Sequence, residues 1–180
     1  MGPVRVAVTG GLGAGKTSLL QRLQQRGYLV IPEAARAIIA DRKSRGLSPR
    51  PPPLEFARAI LQRDIEQYHS VANAESLAFF DRSVLDALNM LAELGQLAER
   101  ERRAMLRRCT YHATAFILPL WREIYRTDSE RDQSYEDAVR TYQSLRNWYA
   151  RCGYTLVEVP PGTVEERCAF VLRNLVQDDD

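Results

Sequence analysis

Apolar runs of strand length alternate along this chain with longer stretches whose apolar residues recur at helical spacing. VRVAVT (4–9), YLVI (28–31), LAFF (77–80), TAFIL (114–118) and YTLVEV (154–159) are the strand candidates, and most lack the alternating polarity of a half-exposed strand. They read as buried on both faces. Between them, Leu19, Leu20 and Leu23 mark a helix closed by Gly27, while Leu54, Ala57, Leu61, Ile65 and Tyr68 mark another, entered through PPP (51–53). Strands linked by helices long enough to cross over predict an α/β fold with a parallel sheet. Two later helices carry start signals, Ser134 with Asp137 and Thr163 with Glu166, where a hydroxyl caps the N3 amide and an acid meets the positive helix end. Gly153 closes the first, and Tyr135, Tyr142 and Tyr149, at seven-residue spacing within it, read as one buried stripe.

Length and composition narrow this picture to one domain spanning 1–180. With 180 residues, 45% of them hydrophobic, the chain can bury one substantial core and is short for two. There is no internal repeat or linker; GLSPRPPP (46–53) reads as a surface loop and the DDD tail (178–180) as a solvated end. The 25 basic and 23 acidic residues are mixed along the chain, so no tract argues for nucleic acid or an anionic membrane. The basic run AERERRAMLRR (98–108) alternates in sign without aromatics and reads as a solvated face. Cys109, Cys152 and Cys168 lack metal-ligand spacing, as do His69 and His112. With no signal peptide and no apolar span, the expectation is a cytoplasmic protein with reduced thiols, whether monomer or homodimer.

The chemistry begins at Gly10-Gly11-Leu12-Gly13-Ala14-Gly15-Lys16-Thr17, a complete G-x-x-x-x-G-K-[ST] motif between a strand and a helix. Glycines let the backbone curl so that N–H groups, continuing into Thr17 and Ser18, point inward at a helix N-terminus where the macrodipole also attracts anions. Lys16 adds a charge for the β- and γ-phosphates, and Thr17 offers a hydroxyl to Mg²⁺. Nucleotide binding is the expectation, with ATP first; GTP stays open, although no N-K-x-D guanine-reading motif is present. A second acid is needed near the metal. LAFFD ends in Asp81, whereas TAFIL and YTLVEV run into Pro119 and Pro160, so Asp81 is the metal candidate; its alternative role is to cap the helix that starts near Ser83. The second strand ends VIPEAAR, which places Glu33 on the sheet edge where ligands collect, fit to take a proton from an attacking hydroxyl. Alternatively Glu33 and Arg36 form a plain i,i+3 pair.

Taken in order, GGLGAGKT, VIPEAAR, FFDRS and PLWREIYRTDSER resemble the P-loop nucleoside and nucleotide kinases. They are most similar to the P-loop ATPase group that includes the nicotinamide-riboside-kinase domain of the bacterial NAD regulator, with a eukaryotic branch regarded as GTP- and lipid-binding. The resemblance covers Val4 to about Leu175. It implies a P-loop three-layer sandwich, a five-stranded parallel sheet flanked by helices. It also implies that Glu33 activates the acceptor hydroxyl, that Asp81 and Arg82 contact substrate and metal, and that Arg122, Arg126 and Arg131 sit on a lid at about 119–133. Asp81 stands where deoxynucleoside kinases commonly carry Glu, and PEAAR lacks their following Pro.

In WREIYRTDSER, Arg122 and Arg126 share a helix face and Arg131 follows a short turn, so three guanidiniums can converge on a transferring phosphoryl group. They can equally pair with Glu123, Asp128 and Glu130 on a solvated helix. Trp121 and Tyr125 could stack on a ring, and PPGT (160–163) resembles the adenine-wrapping loop of such kinases. Two functions follow. One is a kinase moving the ATP γ-phosphoryl group to a hydroxyl of a nucleoside-like acceptor. The other is a regulatory nucleotide-binding module with slow hydrolysis, acting through a protein or lipid partner.

Overall fold

The computed structural model describes residues 3–11, 14–72, 77–120 and 135–176. In chain order these form β1 (Arg5–Gly10), α1 (Lys16–Gln25), β2 (Leu29–Ile31), α2 (Ala34–Ser44), α3 (Pro53–Ser70) and β3 (Ala78–Asp81). Then come α4 (Val84–Glu93), α5 (Glu99–Arg108), β4 (Thr114–Leu118), α6 (Tyr135–Arg151), β5 (Thr155–Glu158) and α7 (Val164–Val176). The strands make one parallel sheet in the order β2-β3-β1-β4-β5, with Val8 beside Asp81 on one side and Phe116 on the other.

Strand alternation divides the core into two layers. Val6, Val8, Phe79, Phe116 and Leu118 point to the face covered by α1 and α7, where Leu19, Leu23, Cys168 and Val171 meet them. Ala7, Phe80, Ala115 and Ile117 point the other way, toward Leu61, Leu88 and Tyr149 of α3, α4 and α6. Each fully buried Leu or Phe here contributes about 1.5–3 kcal/mol of transfer free energy. This is the three-layer arrangement that the motif order implies.

Burial on both faces holds for the central strands β1, β3 and β4 and fails at the rims. β5 exposes Thr155 and Glu158, and β2 is largely half-buried, because each has a neighbour on one side only. The tyrosine stripe also differs from expectation. Tyr149 is fully buried, but Tyr135 and Tyr142 are half-buried, and the buried positions of α6 are Ala138, Leu145, Trp148 and Tyr149. Seven residues fall short of two helical turns by about 20°, so a strict heptad drifts off the face, and Tyr142 ends at the sheet rim bonded to Glu158.

The helix signals map well where they can be seen. Pro53 opens α3, and Thr163 and Glu166 form the reciprocal cap of α7. Ser134 lies outside the described residues. Helix α5 buries no residue fully, as a solvated face should, and an Arg58–Glu101 ion pair ties it to α3. Among the described residues no helix is long and apolar enough to cross a membrane.

Candidate active site

β1 leads into α1 on one face of the sheet, while its neighbour β3 leads into α4 on the other, so a crevice opens between their carboxyl ends. The chemistry-bearing side chains gather there. Gly10 ends β1 at φ 141°, where an added Cβ would stand 2.8 Å from the Leu118 carbonyl oxygen, so only glycine lets the loop leave the sheet this way. Gly15 is the N-cap of α1 in the left-handed region (φ 78°), and no side chain caps this helix. By contrast α4 and α7 have reciprocal side-chain caps. The first-turn N–H groups of α1 are thus left for an anion, with Thr17 and Ser18 exposed beside them. Gly13 and Leu12 lie outside the described residues.

Lys16 is buried, and its ammonium stands 3.2 Å from Asp81 Oδ1. That oxygen has no hydrogen-bond partner, so the contact is an ion pair without hydrogen-bond alignment. Asp81 does not cap α4. Ser83 does, accepting from Leu85 N, while Asp86 accepts from the Ser83 N–H at 3.0 Å. This removes the capping alternative for Asp81.

Glu33 is the N-cap residue of α2 and is only 8% exposed. Its Oε1 accepts from Arg82 Nε at 3.0 Å and its Oε2 from Arg36 Nε at 3.0 Å. The i,i+3 pair with Arg36 is therefore present, and it coexists with Glu33's place in the crevice. Arg36 also reaches Thr17 Oγ1 at 3.5 Å, linking Glu33 to the phosphate loop. Burial alone would raise the Glu33 pKa, but the charges of Arg82 and Lys16 and the Arg36 hydrogen bond outweigh it and lower the value from 4.5 to about 2.

Arg82 holds this cluster together. It is the one non-glycine residue with positive φ among the described residues (68°), and its guanidinium lies between Glu33 and Asp86, 3.5 Å from Asp86 Oδ1. Burial would lower its pKa; Glu33, Asp86 and Asp81 together raise it instead, so the charge is secure. Asp86 in turn accepts from Thr9 and from the Tyr149 hydroxyl, the latter at 2.7 Å.

One acid stands apart. Asp64 of α3 is 5% exposed and its Oδ2 is buried without a hydrogen-bond partner. Burial, then the nearby charge of Asp86, push its pKa well above the usual carboxylate range, against the pull of Arg82. It faces the Arg82 cluster, where burial and the neighbouring carboxylates disfavour its charged form.

The crevice thus brings together Gly10, Gly11, Ala14, Gly15, Lys16, Thr17, Ser18, Glu33, Asp81 and Arg82 of the expected site. Arg122, Arg126 and Arg131, with Trp121, Tyr125 and nearly all of the expected lid, lie outside the described residues. A cavity of about 630 Å³, lined by residues such as Leu120, Tyr142, Arg146 and Glu158, opens on the β5 side; neither Lys16 nor Glu33 lines it. Asp64 and Asp86 were not expected, although signals exist. Asp86 completes an S-x-x-D capping pattern, and Asp64 interrupts the apolar face of α3 between Leu61 and Ile65.

No curated protein sequence matches this chain. Among solved structures, deoxyadenosine kinase from M. mycoides, with products dCMP and a flexible dCDP bound, has a TM-score of 0.68 at 13% identity over 97% of this chain and 100% of that one. Thymidylate kinase from Candida albicans has a TM-score of 0.65 at 11% identity, covering 98% and 92%. The YorR protein of Bacillus subtilis, in complex with phosphorylated GDP, has a TM-score of 0.61 at 11% identity, covering 97% of each. At such identities the likeness is one of fold, and the fold is that of the P-loop nucleoside and nucleotide kinases. A family model described as an AAA domain matches residues 5–167, and the chain belongs to that family.

Proposed function

We propose that the protein is a small-molecule kinase that transfers the γ-phosphoryl group of ATP to a hydroxyl of a nucleoside-like acceptor. The observation that carries this reading is the buried Glu33–Arg82 pair beside the Lys16–Asp81 pair, at the carboxyl ends of adjacent strands. A nucleotide-binding module needs the second pair only. The first adds a carboxylate and a guanidinium on the side where an acceptor would enter. The deoxyadenosine kinase with bound dATP, which shares the fold, supports the choice of ligand class.

In this reading the α1 N-terminus and the loop hold the phosphates, and Lys16 exchanges Asp81 for the β- and γ-oxygens. Mg²⁺ fits the oxygens present: the Thr17 hydroxyl is exposed and Asp81 Oδ1 has no hydrogen-bond partner. Among the described residues no three His, Cys, Asp or Glu side chains gather as a metal cluster, which suits an ion held mainly by phosphate and water. When bound, Mg²⁺ supplies charge neutralisation between the β- and γ-phosphates.

Glu33 accepts the acceptor hydroxyl and orients it in line. With a pKa near 2 it is a weak base while both guanidiniums hold it. The half-exposed Arg36 is the contact a hydroxyl can replace. A loose phosphoryl-transfer transition state demands little early proton removal, so a carboxylate that positions first and takes the proton late suffices. Arg122, Arg126 and Arg131 are assigned to the lid over the phosphates by resemblance. The unbridged Cys109, Cys152 and Cys168 fit a cytoplasmic setting.

The test is a screen of purified protein with Mg-ATP against nucleosides, nucleoside monophosphates and nicotinamide riboside, reading ADP release and product mass. Acceptor-dependent ADP formation is expected. Tight nucleotide binding with no product from any acceptor would move the assignment to a regulatory module acting through a protein or lipid partner.

A further inference from the structure

Arg167, in the first turns of α7, is 94% buried by difference from its 6% exposure, yet none of the described carboxylates pairs with it. Its Nη1 donates to the Gly15 carbonyl oxygen at 3.4 Å, and its Nε is buried without a hydrogen-bond partner. The acids beside it in sequence are committed elsewhere: Glu165 pairs with Arg22 and Arg26, and Glu166 turns back to cap Thr163. Burial lowers its pKa, and no neighbouring acid opposes that shift. Arg167 also lines a cavity of about 10 Å³, the size of one water, with Ala14 of the phosphate loop and Pro160 and Pro161 of the β5–α7 turn.

A buried charge without a counter-charge is costly, and this one sits behind the loop built to receive anions. Its anchor is the carbonyl of Gly15, the left-handed residue that starts α1. We propose that Arg167 is a positioning residue of the phosphate site: it fixes the Gly15 turn, and the polyphosphate of the bound nucleotide supplies its counter-charge. The group couples the phosphate loop to the β5–α7 turn, so ligand charge is felt by both. Unlike Lys16 it acts from behind the loop, without touching phosphate. This rests on the nucleotide-binding reading above.

Arg167→Met keeps the length of the stem and removes the charge, and Arg167→Lys keeps the charge. Urea unfolding of the nucleotide-free proteins and calorimetric titration with Mg-ATP and with inorganic tripolyphosphate separate the possibilities. Arg167→Met should unfold at the same or a higher urea concentration than wild type, and should bind both ligands about tenfold more weakly. Arg167→Lys should bind within about threefold of wild type. Affinity unchanged in Arg167→Met would overturn the proposal, as would a weakening confined to ATP, which would place Arg167 at the base. An Arg167→Met protein that is markedly less stable or does not fold would show the residue to be structural and overturn it too. Wild-type protein that binds neither ligand would instead sink the phosphate-loop reading itself.

Discussion

Glu33→Gln keeps the side chain's size and removes the negative charge that two guanidiniums share. The size of the effect follows from the carboxyl's own proton affinity. Burial works against the charged form, but Arg82, Lys16 and Arg36 more than compensate, and the pKa falls from 4.5 to about 2. At about 1.4 kcal/mol per unit, a shift of about 2.5 units corresponds to roughly 3 kcal/mol of folding stability. The sign follows from linkage: a depressed carboxylate pKa gives stability that is fully present above the unfolded value of 4.5 and is lost as pH falls through about 2. Wild type should therefore exceed Glu33→Gln by roughly 3 kcal/mol at about pH 7, with the gap closing steadily below about pH 4.5. Asp86 still faces Arg82 in the variant, so the guanidinium is not left alone and the loss should not grow much beyond this. Urea titrations at several pH values, followed by far-UV circular dichroism, measure it; at about 2 kcal/mol per M the midpoint moves by roughly 1.5 M near neutrality. A gap under about 1 kcal/mol at neutral pH would refute the argument, and so would a gap that stays constant down to about pH 3.

Three further substitutions test separate parts of the site. Lys16→Met should weaken Mg-ATP binding by about 100-fold or more, the worth of two charge-assisted phosphate contacts, and calorimetry giving wild-type affinity in the folded variant would dismiss the loop assignment. Asp64→Asn should stabilise the protein increasingly as pH rises above about 4: the raised native pKa of Asp64 means its contribution is intact below the unfolded pKa and is lost as pH rises toward the folded one. Denaturation curves for the two proteins that stay parallel across pH would contradict this. Ser83→Ala removes the α4 cap and one of the two partners of the Tyr149 hydroxyl, and should cost about 1–2 kcal/mol in the same urea assay; a change under a few tenths would deny the cap its weight.

Strand positions were legible to within a residue or two, because a parallel sheet buried between helix layers demands apolar runs. Which strands would be rims was not, since sheet order is set by pairings far apart in sequence: Leu29 with Ala78, Thr114 with Thr155. The phosphate loop was legible because its glycines, Lys16 and Thr17 are contiguous. The Glu33–Arg82 pair spans 49 residues, and the sequence offered only the two ends. Arg167 carried no signal at all. In the run EERC it reads as one more solvated helix charge, and only the packing of α7 on α1 shows that it is buried.

The FFDRS segment explains how one strand end serves two sides of the crevice. Strand alternation sends Phe79 to the α1 face and Ala78 and Phe80 to the α3–α4 face, so Asp81 continues toward α1, where Lys16 meets it. The next residue turns toward α4, where Glu33 and Asp86 flank the guanidinium. The chain must then reach an extended Ser83 (φ −155°) as N-cap immediately, and it does so by putting Arg82 in the left-handed region. For a residue with a Cβ this costs about 1–2 kcal/mol. Arg82→Gly would remove that strain, but it would also leave Glu33 without its main counter-charge and Asp86 without one of its partners. Breaking such a buried pair costs about 3–5 kcal/mol, so the interaction outweighs the strain and the variant should be less stable by roughly 1–4 kcal/mol. An Arg82→Gly protein as stable as wild type in urea would mean that the backbone strain, not the ion pair, dominates at this turn.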